Sequence, residues 1–272
     1  MTPIQRQAQR RGAWGLREAL HAEWTKLRTI SAPAWLLLGA IALTIALSAA
    51  AVGATSYTNS GGNQDIAKLS LTGIELGQAI IAILAVLVIS GEYSTGMIRT
   101  TLAAMPHRLT VLAAKATTLT ALVLAAGTAA VLLSLLAGRL ILPGHGFTTG
   151  HGYPPLSLAY GPTLRAAAGS VLYLGLIGLL SLGVATAVRD SATAIGAVLG
   201  LLYLFPILAH TVNTHWQRHL DQISPMTAGL NIQATTGLHG LPLSPWQGLG
   251  VLAAWAAAAL ATGGLLLQLR DG

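Results

Sequence analysis

The chain has 272 residues, of which 53% are hydrophobic and only 8% charged, with no cysteine and a mean hydropathy of +0.65. A soluble domain carries about 25% charged residues and a disordered chain needs low hydrophobicity, so both classes are excluded. The absent cysteines exclude disulfides and thiol chemistry. The net charge of +7, from Lys+Arg 15 against Asp+Glu 8, reports either nucleic-acid binding or orientation in a membrane, and its distribution along the chain decides which.

Residues 1–33 form a basic N-terminal segment. Wound at about 100° per residue, Trp14–Ile30 places Leu16, Ala19, Leu20, Trp24, Leu27 and Ile30 on one side and Arg17, Glu18, His21, Thr25 and Arg28 on the other. That pattern predicts an amphipathic helix lying in the membrane interface. Glu23 projects from the apolar stripe. It is either a buried carboxylate with a basic partner or a rim residue reaching water, and the rim reading is preferred. Pro33 separates this helix from the first apolar stretch, as suits the first turn of a new helix.

A spanning helix needs about 20 mostly apolar residues. Six stretches of residues 34–272 qualify: Ala34–Ala54, Leu71–Ser90, Ala116–Ala137, Leu164–Val188, Ser191–His210 and Gln247–Gln268. Ala192, Gly196 and Gly200, and again Gly250, Ala254 and Ala258, form small-residue rows that suit close helix packing in lipid, or reflect a composition rich in Ala and Gly. The basic residues sort by side. Arg6, Arg10, Arg11, Arg17, Lys26, Arg28, Arg99, Arg108, Lys115, Arg189 and Arg270 fall on one side; Lys68, Arg139, Arg165 and Arg218 fall on the other. Eleven against four puts both termini in the cytoplasm. Trp24 and Trp35 at the inner end, with Trp216 and Trp246 at the outer end, suit the two headgroup regions. The Arg10-Arg11 pair invites a cleaved-signal reading. It lies more than twenty residues before the apolar core, too far for the short n-region of a signal.

The loop 91–115 is the most polar inner stretch. Glu92 and Arg99 are seven apart and share one helical face, which allows an ion pair, and Ser94–Ala104 has room for a short helix ended by Pro106. The outer loops are 138–163, irregular with many Gly and Pro, and 211–246, whose centre Thr227–Leu238 is expected to form a short helix against the spans.

Catalytic patterns are scarce. His215 and His219 have an i, i+4 spacing that can bind a metal, but no H-E-x-x-H is present, and solvated histidines on the outer surface explain them better. No phosphate-binding loop occurs, so nucleotide hydrolysis is not expected of this chain, and no metal or cofactor site is assigned. Glu75, near the outer end of the second span, and Gln78, one turn deeper, are the candidate polar positions inside the membrane.

Two motifs carry a family resemblance. Gly91-Glu92-Tyr93 followed by Gly96, Arg99, Pro106 and Arg108 is one; Glu23-Trp24-Thr25-Lys26-Leu27-Arg28, directly before the first span, is the other. With six spans and inner termini, the chain resembles the permease subunit of an export-type ABC transporter of the second class, in the form common in actinobacteria. The first motif is similar to the family's pattern at the inner end of its second span. Met97 stands where many relatives have a small polar residue. The resemblance implies an all-α fold of six transmembrane helices with an N-terminal elbow helix carrying Glu23, Trp24, Lys26 and Arg28. It implies a coupling helix in 91–115 that docks a separate ATP-binding subunit through Glu92, Tyr93, Gly96, Arg99, Pro106 and Arg108. Glu23 would brace the elbow against that region. Two permeases, alike or different, and two ATPases carrying ATP and magnesium would work together in the cell membrane as an efflux system, with Glu75 and Gln78 on the substrate path. A membrane-embedded metal enzyme using the outer histidines, and a membrane anchor or immunity protein acting without an ATPase, are the alternatives. Nucleic acid is not needed to explain the charge.

Overall fold

A computed structural model of the chain describes residues 17–26, 31–57, 64–97, 108–209, 211 and 214–270. Among these residues all regular structure is helical: α1 (17–26), α2 (Ser31–Gly53), α3 (Ile66–Ser70), α4 (Ile74–Ser94), α5 (Arg108–Ile141), α6 (Gly161–Val188), α7 (Ser191–Ala209), α8 (Thr214–Ile223), α9 (Pro225–Leu230) and α10 (Pro245–Arg270). Six of them, α2, α4, α5, α6, α7 and α10, are long and apolar enough to cross a membrane, and they coincide with the six stretches expected from the sequence. The protein is a multi-pass helical membrane protein. The spans alternate in direction. We call the end that carries α1, the C-terminus of α4 and the N-terminus of α5 the near end, and the opposite end the far end.

α6 and α4 are the most enclosed spans and α2 and α7 the most exposed. Leu84, Ile89, Leu119, Ile177, Leu180 and Leu202 meet in the core, fully buried. Several hydroxyls inside the spans are satisfied within their own helices, whereas those of Ser134 and Ser170 are buried with no hydrogen-bond partner among the described residues. Ser90, Thr118, Ser181 and Thr186 each donate to the carbonyl four residues earlier, at 2.7–2.9 Å, as a water-free environment demands.

Close helix contact falls on glycines other than those in the expected rows. A Cβ at Gly183 of α6 would lie 2.5 Å from the backbone of Ala259 and Leu260 in α10, and one at Gly248 would collide with the carbonyl oxygen of Ala228 in α9. Gly196, Gly200 and Gly250 have nothing within 4 Å, and Ala192, Ala254 and Ala258 are exposed. Those two rows therefore face out of the bundle rather than into it. Spacing alone identifies a face, not what covers it.

α5 has 34 residues and a length of about 51 Å, well beyond a hydrocarbon core of about 30 Å. It starts at Arg108 rather than near Ala116, while α4 continues to Ser94. Much of the stretch expected as loop 91–115 is thus the helical ends of two spans. Pro33 sits in the first turn of α2, where a missing N–H costs nothing.

At the far end α9 and the 3-10 turn Asn231–Gln233 are buried against α6 and α10, deeper than a helix merely resting on the spans. Asp65 caps α3 by accepting from the Lys68 N–H at 3.0 Å. It also accepts from the Thr235 N–H, from the Thr235 hydroxyl at 2.6 Å and from the Thr236 N–H at 2.9 Å. Arg165 donates to the Ala234 carbonyl at 2.5 Å. One carboxylate and one guanidinium hold the far-end segment in place.

Candidate functional site

Four charges converge at the near end from three helices. Glu23 and Lys26 come from α1, where a spacing of three brings them to one face; Glu92 comes from the last turn of α4; and Lys115 comes from the second turn of α5. Lys115 Nζ lies 2.9 Å from Glu23 Oε2 and 2.7 Å from Glu92 Oε1. Lys26 Nζ lies 3.1 Å from Glu23 Oε1 and 2.7 Å from Glu92 Oε1. The result is a closed ring of alternating sign and zero net charge. Side-chain exposure is 1% for Lys115, 6% for Glu92, 8% for Glu23 and 29% for Lys26.

Removing a charge from water carries a penalty of several kcal/mol even after relaxation. The ring is tolerable because each ammonium meets two carboxylates. Glu92 Oε1 accepts from both lysines, whereas its buried Oε2 accepts no hydrogen bond among the described residues. Burial pulls the Lys26 ammonium down, but the hydrogen bond and charge of Glu92 and those of Glu23 outweigh it and hold its pKa above the usual lysine value. A group raised on folding stabilises fully below its unfolded pKa and loses that contribution as pH climbs through the folded one. The protein is therefore expected to lose stability above about pH 10.5. Thermal unfolding of the purified protein against pH checks this, and Lys26→Arg, which stays charged, is expected to flatten the alkaline slope.

The carboxylate at position 23 is thus buried and paired, not a rim residue. The face of α1 turned into the bundle is Ala19 and Glu23, while Trp24 is 47% exposed. That inward face is one edge of the predicted apolar stripe, and the Glu23 carboxylate on it is held by Lys115 and Lys26. Arg17, Glu18, His21 and Thr25 stay on the outer side of α1, exposed.

The other near-end residues are held nearby. The Arg189 guanidinium lies 5.4 Å from the centre of the Tyr93 ring, a cation–π distance, and Arg189 itself closes α6 in a left-handed conformation. Arg108 donates to the carbonyls of Leu267 and Gln268 at 3.0 and 3.3 Å, neutralising the C-terminal end of α10. Arg108 thus has a role inside the chain. Gly96 follows α4 with φ +71°, a conformation glycine adopts at no steric cost. Arg28, Arg99 and Pro106 lie outside the described residues, and so does the pairing of Glu92 with Arg99.

Gln78 is wholly buried. Tyr173 donates its hydroxyl to Gln78 Oε1, and Gln78 Nε2 donates to the Glu75 carbonyl at 3.0 Å. Tyr203 donates to the same carbonyl at 2.5 Å. This network locks α4 to α6 and α7, so Gln78 is a packing residue of the single chain, while the Glu75 side chain remains half-buried. His219 lies beside Trp216, and no group of three or more metal-ligating side chains occurs among the described residues.

Lys115 is the member that sequence reasoning overlooked, because it counts there only as an orientation charge. A signal exists: Lys115 is a lone charge between the apolar runs 109–114 and Ala116–Ala137 and calls for a partner, and Glu23 is an acid on an apolar stripe that calls for one too. No family model matches the chain, and no curated protein matches it.

Proposed function

We propose that this chain is the membrane-spanning permease subunit of an ATP-driven exporter in the cell membrane. The near end is cytoplasmic, and a separate ATP-binding subunit docks on the segment between α4 and α5. The observation that carries this reading is the four-charge ring. It ties the N-terminal helix to the ends of the two spans that flank that segment. A displacement of the segment by a partner would then move α1, α4 and α5 as one body rather than bending a loop. Packed two-state elements of this kind transmit small shifts. The excess of basic residues at the near end supports the orientation.

In this reading two permeases, identical or related, enclose the substrate path, and Glu75 is the polar side chain available to it. ATP and magnesium are bound by two copies of the ATPase partner, and this chain hydrolyses nothing itself.

The test is capture of the tagged chain from its native membrane. An ATP-binding subunit is expected to co-purify. The Glu92→Gln variant is expected to stay in the membrane while ATP-driven export falls about fivefold or more, the usual size of a coupling effect. A chain that works in proteoliposomes without any ATPase would refute the proposal.

A further inference from the structure

The far end of α5 carries an arginine that the permease reading does not use. Arg139 stands two residues before the end of the helix, exposed, and among the described residues no carboxylate lies within 4.0 Å of it. It heads a stripe of one helix face. At about 100° per residue, Ala121, Ala125, Thr128, Leu132, Leu136 and Arg139 lie within about 60° of one line, and all six are exposed. Leu132 and Leu136 present large apolar surface, whereas Ala121 and Ala125 leave the deeper part of the stripe shallow. Because α5 crosses the membrane, this face meets lipid hydrocarbon.

Beside Arg139 a cavity of about 330 Å³ opens. Its floor is apolar, from Ile66, Leu142 and Phe147. Its rim carries the hydroxyl residues Thr148, Thr149 and Ser157. The size falls at the lower end of small-ligand sites. The walls are held in place: Phe147 stacks edge-on against Tyr153 and Tyr57, and the Tyr57 N–H donates to the His145 carbonyl at 3.0 Å. A cation, hydroxyl donors and a lipid-facing apolar track meet at one place.

We propose that this is a binding site for an anionic phospholipid. The phosphate meets the Arg139 guanidinium, the polar headgroup enters the cavity toward Thr149 and Ser157, and an acyl chain lies along Leu136 and Leu132. A guanidinium offers paired donors to phosphate oxygens, which a zwitterionic lipid would use less fully because its own headgroup cation competes for the phosphate. An arginine that only reached for water would need no cavity.

Thermal unfolding of the full chain in detergent, titrated with phosphatidylglycerol, phosphatidylcholine or inorganic phosphate, tests this. Phosphatidylglycerol is expected to raise the midpoint, with the other two far weaker. Arg139→Gln is expected to weaken the phosphatidylglycerol response about tenfold, the worth of one charge-assisted contact. Thr149→Trp, which fills the cavity and leaves the charge, is expected to weaken it too, while Arg139→Lys keeps part of it and Arg218→Gln, on α8 at the same end, keeps all of it. An unchanged response in Arg139→Gln, or in Arg139→Lys and Thr149→Trp together if the glutamine variant does not fold, overturns the proposal. Equal stabilisation by inorganic phosphate overturns the lipid assignment, and an equal effect of Arg218→Gln overturns the site by reducing the response to general surface charge.

Discussion

Replacing Lys115 with methionine is expected to be the most damaging single change at the near end, costing about 3–5 kcal/mol of stability. The side chain is 1% exposed and its ammonium is shared by Glu23 and Glu92. Methionine fills the space but leaves two buried carboxylates with Lys26 as the remaining ring cation. The damage comes from the uncompensated charge, not from lost packing. The double variant Lys115→Met, Glu92→Gln, which restores neutrality, is therefore expected to recover most of the loss. Lys26→Ala, at a position where water already reaches the side chain, is expected to cost only about 1 kcal/mol. Unfolding midpoints of the purified variants in detergent give the order. If Lys26→Ala proves as costly as Lys115→Met, burial is not what makes the ring matter.

The second large effect concerns the contact between α6 and α10. Gly183→Val is expected to destabilise the protein by about 3 kcal/mol, the upper end of the usual cost of overpacking. Here the new atoms would meet backbone, 2.5 Å from Ala259 and Leu260, and backbone has no rotamer to change. A Cβ at Gly263 would in turn lie 2.6 Å from the Gly183 carbonyl oxygen, so the two helices approach through both glycines. Gly250→Ala, on the same α10 but with nothing within 4 Å, is expected to be neutral or up to about 1 kcal/mol stabilising, since alanine is the better helix former. A Gly183→Val protein that melts like the parent would show that α6 and α10 are not in backbone contact.

Both effects lie where composition and periodicity run out. The six spans are legible because hydrocarbon imposes one requirement, about 20 apolar residues with their backbone bonded internally, and that requirement is local. Even there the ends differ. The first turns of α5, Arg108 to Lys115, read as loop because two charges bracket the apolar run 109–114, which is too short to be taken for a span. The small-residue rows mislead for a related reason: Gly183 and Gly250 are alike in sequence, and only the neighbouring helix separates a contact from an open face.

The charge distribution separates the two levels most clearly. From sequence alone the chain is a six-span helical protein with its basic residues gathered at one end, because low charge and apolar run length are properties of the chain itself. Only the tertiary structure decides that two of those basic residues, Lys26 and Lys115, are bound in a neutral ring with Glu23 and Glu92. The ring closes between residues as far apart in the chain as Glu23 and Lys115, and its energy depends on all four being out of water together. Periodicity sees one helix at a time. A buried charge is settled by what the other helices bring to it.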